Sequence, residues 1–270
     1  MSIRSCALVK ALVLFALICP FGHQAYATVI ASSGFNDQTG LNSTPTPNSP
    51  YTIGQTVDGR GEGESGWAGN WITQLNGGLG GDANALITSD AAKEGDGGLS
   101  LIPNGQVRAM RRLAVPQTRS FSIEQDVNFG AAGTLFSRPY SAGASEPWSI
   151  GPMWSITGPV GSRHFEVNNG QGNGLDNWIT TGIAQTPGAW QHVEIDLNVA
   201  TQTWTFSVDG QKFNQTLGYL GTPATIDYVE YLSDAAGYID SVVVSTPEPT
   251  AVAVIMPALV RLLVRRSRRR

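Results

Sequence analysis

Between Thr28 and Thr246 the chain has no cysteine. Cys6 and Cys19 both lie in the first 27 residues. The long middle stretch therefore has no disulfide, no thiolate metal site and no cysteine nucleophile. It must be held by its core, and it is long enough to bury most of its apolar surface without staples. Histidine is nearly as scarce. Only His164 and His192 fall in this stretch, with no H-x-x-x-H spacing. No serine sits in a G-x-S-x-G elbow. Basic residues are few as well: nine Lys and Arg against 20 Asp and Glu, a net charge near −11. An acidic stretch of this kind argues against nucleic acid as a partner. There is no sustained 3.6-residue period.

The two ends have a different composition. Residues 1–27 hold Arg4 and Lys10, then the apolar run ALVLFALIC (11–19), then AYA, with Ala25 and Ala27 three and one before a cut ahead of Thr28. A basic start, an apolar middle and an A-x-A end predict a secretory signal peptide. The run is short for the roughly 20 apolar residues of an anchor helix. Ile18 before Cys19 does not suit a lipoprotein cut.

The middle reads as β-structure. Turn-rich breaks such as NSTPTPNSPY (42–51), NGGLGGDAN (76–84) and KEGDGG (93–98) separate short runs that alternate at period two. In FSIEQDVNF, Phe121, Ile123, Val127 and Phe129 share a face with Gln125. In HVEIDLNV, Val193, Ile195, Leu197 and Val199 oppose His192, Glu194, Asp196 and Asn198. In TWTFSVDG, Trp204, Phe206 and Val208 point one way before an Asp209-Gly210 turn. Such a pattern predicts one all-β domain over 28–246, a two-sheet sandwich. GRGEGESGWAG (59–69) lacks the G-K-[ST] ending of a phosphate loop and reads as a plain loop.

WQHVEIDLNVATQTWTFSVDGQKF (190–213) resembles the strand–hairpin–strand signature of laminin-G-like, concanavalin A-like domains, matched at Trp190, His192, Val193, Val208, Asp209 and Gly210. YVEYLSDAAGYIDSVVVS (228–245) resembles the closing strand of that fold. The resemblance implies a two-sheet antiparallel jelly-roll sandwich. The fold hosts lectins, glycosidases and adhesive modules, so it does not choose a function.

EIDLN (194–198) is similar to the E-I-D-x-E motif of laminarinase-type glycosidases. There the first Glu is the nucleophile, the Asp assists and the last Glu is the acid/base. Residues two apart on a strand share a face, which puts such carboxylates into one cleft. Here Glu194 and Asp196 remain, but Asn198 stands at the acid position. Glu124 and Asp126 make a second partial match with the same defect. Alternating acids are also what any solvated strand face offers. The resemblance further implies a structural calcium ion held by Asn36 and Asp37 of the opening GFND and by Asp240 of Y-I-D. A hard cation needs six to eight oxygens, so these side chains alone do not make a site. The plain alternative has Asp37 capping a turn and Asp240 facing water. Trp67, Trp71, Trp148, Trp154 and Trp178 are candidates to stack on sugars or to fill the core.

The ending STPEPTAVAVIMPALVRLLVRRSRRR (245–270) is similar to the PEP-CTERM sorting signal, in which an exosortase processes an exported protein near a Pro-Glu-Pro motif. The match is Pro247, Glu248 and Pro249, the apolar residues 251–264, and Arg265, Arg266, Arg268, Arg269 and Arg270. The arginines should stay cytoplasmic, leaving the domain outside. Fourteen helical residues span about 21 Å, short of a bilayer core of roughly 30 Å, and Pro257 and Arg261 interrupt them. Such a segment suits a transient hold in the inner membrane. The alternative is an amphipathic last helix of the fold. Together these features predict an exported envelope or extracellular protein. Its leading reading is a non-catalytic module that binds extracellular polysaccharide. The other readings are a degenerate glycoside hydrolase and a structural surface protein without a small ligand.

The tail is testable. Neutralising Arg265, Arg266, Arg268, Arg269 and Arg270 should release unprocessed protein, because nothing then holds the cytoplasmic end. Replacing Pro247, Glu248 and Pro249 should instead leave full-length protein in the membrane. Mass spectrometry of the C-terminus in native-host cells distinguishes them, and wild-type protein still ending at Arg270 would refute processing.

Overall fold

The structure, a computed structural model, describes residues 27–35, 50–75, 78–79, 84–102, 106–130, 133–141, 151–159, 161–170 and 177–247. Ala25, Asn36, Asp37 and Trp148 lie outside these residues, as do the apolar run 11–19 and the tail from Glu248 onward. One compact unit runs from Thr28 to Thr246.

Two antiparallel sheets build it. The first joins, in spatial order, β14 (Gln211–Lys212), β13 (Thr203–Val208), β12 (Trp190–Asn198), β7 (Ser120–Asn128), β17 (Gly237–Thr246), β5 (Gly98–Leu101) and β4 (Ala85–Thr88). Two further strands attach to it: β1 (Thr28–Ser33) pairs with β17 and β15 (Leu217–Gly218) with β13. The second sheet joins β11 (Trp178–Ala184), β10 (His164–Asn168), β9 (Trp154–Thr157), β8 (Leu135–Tyr140), β16 (Ile226–Ser233), β6 (Val107–Gln117), β2 (Ile72–Leu75) and β3 (Gly78–Leu79). The segment 228–245, which resembles one closing strand, is in fact two. The turn at Asp234–Ala235 ends β16 in one sheet and starts β17 in the other. Thr28 at the start of β1 pairs with Thr246 at the end of β17.

The alternation seen in the sequence sorts the strands' faces. Phe121, Ile123, Val127 and Phe129 are buried, as are Val193, Ile195, Leu197 and Val199, and Trp204, Phe206 and Val208. The Asp209-Gly210 turn has positive φ at both residues, the geometry that matches the twist of a two-residue hairpin. Across the core, the Trp154 ring lies 6.0 Å from Phe206 of the other sheet, and within the second sheet Trp71, just before β2, lies 6.3 Å from Tyr231 on β16. Gln125, inward on β7, is fully buried and accepts a 2.6 Å hydrogen bond from the Tyr231 hydroxyl of the other sheet. A buried amide oxygen is tolerated only when it is so satisfied.

The least expected inward residue is Arg111 on β6. It follows Val107 and Ala109 on the same face, yet it is a cation with 1% exposure. Its guanidinium stacks 4.8 Å from the Trp67 ring and donates to the Glu64 carboxylate, to the Gly61 carbonyl and, at 2.8 Å, to the Gly69 carbonyl. Glu64 also accepts from Tyr51 Oη at 2.6 Å and from Ser33 Oγ at 3.1 Å. Trp71 Nε1 donates to Tyr51 Oη at 3.0 Å. The glycine-rich stretch 59–69 is therefore a collar around this charge. Gly61 has φ +103°, and a Cβ there would sit 2.6 Å from the guanidinium carbon. Gly66, at φ +85°, passes so close to the Ile30 carbonyl that no side chain fits.

Removing one partner of a buried ion pair strands the other charge. Glu64→Ala is expected to lower stability by about 3 kcal/mol, whereas the double replacement Arg111→Met with Glu64→Leu should recover most of that loss. Urea unfolding of the three proteins checks this.

Candidate functional site

The outward face of the first sheet collects the acids singled out in the sequence. On β12, His192, Glu194, Asp196 and Asn198 alternate with the buried apolar residues and are half-buried. Strand β7 runs antiparallel beside it, so Glu194 faces Glu124, Asp196 faces Ser122 and His192 faces Asp126. The two partial glycosidase motifs thus form one patch, which single-strand spacing could not reveal. Asp196 is occupied by its neighbours: it accepts 2.7 Å from Ser122 Oγ and 3.1 Å from Thr205 Oγ1. Glu194 accepts from Ser207 Oγ at 3.3 Å. Asn198, at the acid position, caps the following turn by accepting from the Thr201 N–H at 3.2 Å. That explains an amide there.

Asp240 does not face water. It is fully buried on β17, and its carboxylate accepts the N–H groups of Lys93 (2.9 Å), Glu94 (3.0 Å) and Ser241 (2.7 Å). Burial pushes its pKa up to about 6 against those three bonds, helped by the charge of Asp126 opposite. Among the described residues no group of three His, Cys, Asp or Glu has the arrangement of a metal site.

The outward face of the second sheet holds a denser constellation, built on its central strands. On β16, Tyr228, Glu230 and Leu232 point away from the core that Val229 and Tyr231 enter. Tyr228 lies between Tyr140 and Arg112, Glu230 between Arg138 and Met110, and Leu232 between Phe136 and Arg108. Glu230 is fully buried. Its Oε1 receives both Arg108 Nε at 2.9 Å and Arg138 Nη2 at 2.6 Å. Its Oε2 has no hydrogen-bond partner among the described residues. Burial, and then the nearby Arg138 charge, lower the Arg108 pKa, while Glu230 opposes the shift. Tyr140 stacks on Tyr228, with centroids 4.9 Å apart and planes 13° from parallel. Burial, Glu230 and Tyr228 raise the pKa of the Tyr140 phenol, which donates to Met110 Sδ at 3.2 Å. Phe136 packs 5.9 Å from Trp178.

Beside the tyrosine stack a pocket of about 420 Å³ opens, lined by Asp58, Asn70, Ile72, Arg112 and Tyr228. Asp58 is oriented by the Thr73 N–H at 2.9 Å, and Arg112 by Asp227 at 3.3 Å. The pocket therefore offers an aromatic wall with a guanidinium, a carboxylate and an amide around it.

Of the tryptophans read as able to stack on sugars or to fill the core, Trp67, Trp71 and Trp154 are buried in the core at 8%, 1% and 0% exposure. These three take the core role, where the large buried area of an indole stabilises the sandwich. Trp178 is half-buried on the second face. The tyrosines and arginines of that face were missed. The signal was present in VRAMRRL, LFSRPY and YVEYL, where charged or aromatic residues recur at period two opposite apolar ones.

No protein-family model matches the chain, and no curated protein does. Several solved structures are similar in shape. Domain 4 of a GH43 extracellular arabinanase from Geobacillus stearothermophilus, in complex with arabinotriose, has 15% identity and a TM-score of 0.47, over 83% of this chain and 95% of that one. A carbohydrate-binding module, CBM66 from Bacillus subtilis, has 9% identity and a TM-score of 0.42, over 65% of this chain and 95% of that one. A sialidase has 15% identity and a TM-score of 0.47, and the match spans 17% of its length.

Asp240 gives this region a pH signature. Its folded pKa lies above the unfolded value of about 3.9, so protonation favours the folded state. The contribution is fully present below about pH 4 and is lost as pH rises through 6. The shift corresponds to about 3 kcal/mol. Melting temperatures of wild type and Asp240→Asn should therefore diverge in slope between pH 4 and 6. A bound calcium ion would favour the charged form, so adding calcium should flatten that slope and chelator should restore it. Identical wild-type melts with calcium and with chelator would exclude the ion.

Proposed function

We propose that this chain is an exported, non-catalytic β-sandwich that binds extracellular polysaccharide on the outward face of its second sheet, and that an exosortase-type enzyme processes its tail. The pocket beside the Tyr140–Tyr228 stack carries the proposal. A pyranose presents a C–H face and a rim of hydroxyls. Tyr228 offers the flat apolar partner, and Arg112, Asp58 and Asn70 offer donors and acceptors within the same cavity. The net charge near −11 between Thr28 and Thr246 keeps nucleic acid away while leaving neutral sugars unaffected. A structural calcium ion at Asn36, Asp37 and Asp240 belongs to the proposal as a stabilising group only.

Catalysis is the second reading, and one observation favours it: Glu124 faces Glu194 across β7 and β12. A retaining glycosidase needs two carboxyls about 5–5.5 Å apart, which cross-strand neighbours can supply. Against it, Asn198 caps a turn and Asp196 is held by two hydroxyls.

A glycan array with the purified protein should reveal retained polysaccharides. Tyr228→Ala should weaken the best of them about tenfold, the loss of one aromatic contact of ~1.4 kcal/mol, while Glu194→Gln leaves binding unchanged. Reducing-sugar release that Glu194→Gln abolishes would move the protein to the hydrolase reading. A blank array would leave the structural surface role.

A further inference from the structure

The outward face of the first sheet holds a contact that the binding site does not use. In the order β5–β17–β7, the turn that leads into β5 carries Lys93. Its main-chain N–H and that of Glu94 are fixed to Asp240 on β17, at 2.9 and 3.0 Å. From that anchor the Lys93 side chain crosses β17 and places Nζ 2.7 Å from Asp126 Oδ1 on β7. The Asp126 side chain is only 4% exposed, while Lys93 is a third exposed. His192 Nδ1 lies 3.0 Å from the same Asp126 oxygen, and its Nε2 lies 3.6 Å from Glu124. The amine, the carboxyl and a proton-transfer group are thus held together, with Asp240 as the positioning residue.

We propose that Lys93 and Asp126 join in an intramolecular amide bond, a covalent staple in a domain that has no cysteine. A proton passes from the Lys93 ammonium to Asp126 Oδ1, leaving an amine and a carboxylic acid. The amine lone pair attacks Cγ and forms the C–N bond. His192 carries the second nitrogen proton to the departing oxygen, the C–O bond breaks, and water leaves by the exposed side. The sum is ammonium plus carboxylate giving amide plus one water, so no oxidant or co-reactant is needed. Condensation is unfavourable between free groups in water. Held groups, however, react with effective molarities on the order of 10⁵–10⁸ M, which offsets that cost. The product ties the entry of β5 to β7 over the intervening β17.

The test is mass spectrometry of the whole protein after purification. Wild type should lack the mass of one water, and trypsin should release a branched peptide joining residues 61–108 to the peptide that holds Asp126. Lys93→Arg keeps an ion pair but has no amine to acylate, so it should show the full mass and no branch. It should also lose on the order of 10 °C in melting temperature, the scale of a lost cross-link. Asp126→Asn should yield the same branch with loss of ammonia. His192→Gln should slow the appearance of the branch without changing its end point. A wild-type protein of full mass, digested to separate Lys93 and Asp126 peptides after prolonged incubation at neutral pH, would overturn the proposal. If Lys93→Arg does not fold, the wild-type mass alone still decides.

Discussion

A guanidinium inside a β-sandwich sets terms that much of this molecule meets. Arg111 sits where an aliphatic residue would, and an unpaired cation there would cost several kcal/mol. Everything around it supplies compensation: a carboxylate from Glu64, carbonyls from Gly61 and Gly69, an indole face from Trp67. Those groups come from the glycine-rich stretch 59–69, which has to bend tightly enough to reach the charge. The same stretch continues into Asn70 and Trp71, which line the pocket of the second sheet. The collar that neutralises the core cation therefore also shapes the rim of the candidate binding site. Glu64 is held by Tyr51 and Ser33, so β1 and the segment before the collar are committed to the same network.

The two outer faces differ in how they satisfy their charges. On the first sheet, carboxylates are answered by short hydroxyl side chains one strand away, as with Asp196 between Ser122 and Thr205. That is a locally complete surface. On the second sheet, one Glu230 oxygen takes two guanidiniums while the other takes no partner among the described residues. The same face carries the stacked rings of Tyr140 and Tyr228, and Tyr228 also lines the open cavity.

Strand faces were legible because alternation at period two is a local property. Val193, Ile195, Leu197 and Val199 declare their side without reference to any other strand. What was not legible depends on pairing. That Glu124 meets Glu194, or that Tyr140 meets Tyr228, follows from register between strands about 70 and 90 residues apart. Arg111 was hidden for a related reason. In VRAMRRL nothing local marks which of Arg108, Arg111 and Arg112 turns inward, and only the collar tells. Glycine-rich surroundings could not tell a stacking tryptophan from a core one; around Trp67 the glycines serve close backbone approach.

Strand β1 lies antiparallel to β17 with Thr28 opposite Thr246, so the folded unit begins and ends at one corner. Mechanically, this makes the corner a zipper. A force that separates the two ends acts across the ladder and opens its hydrogen bonds one after another, so little force is needed. A force applied along β17 against its other neighbours, β7 and β5, loads their bonds together in shear. Tension drawn from the C-terminal end of β17 against the rest of the sandwich would follow the second route. Tension between the two termini would follow the first, peeling β1 away and taking with it the Ser33 hydroxyl that helps hold Glu64 against the buried arginine.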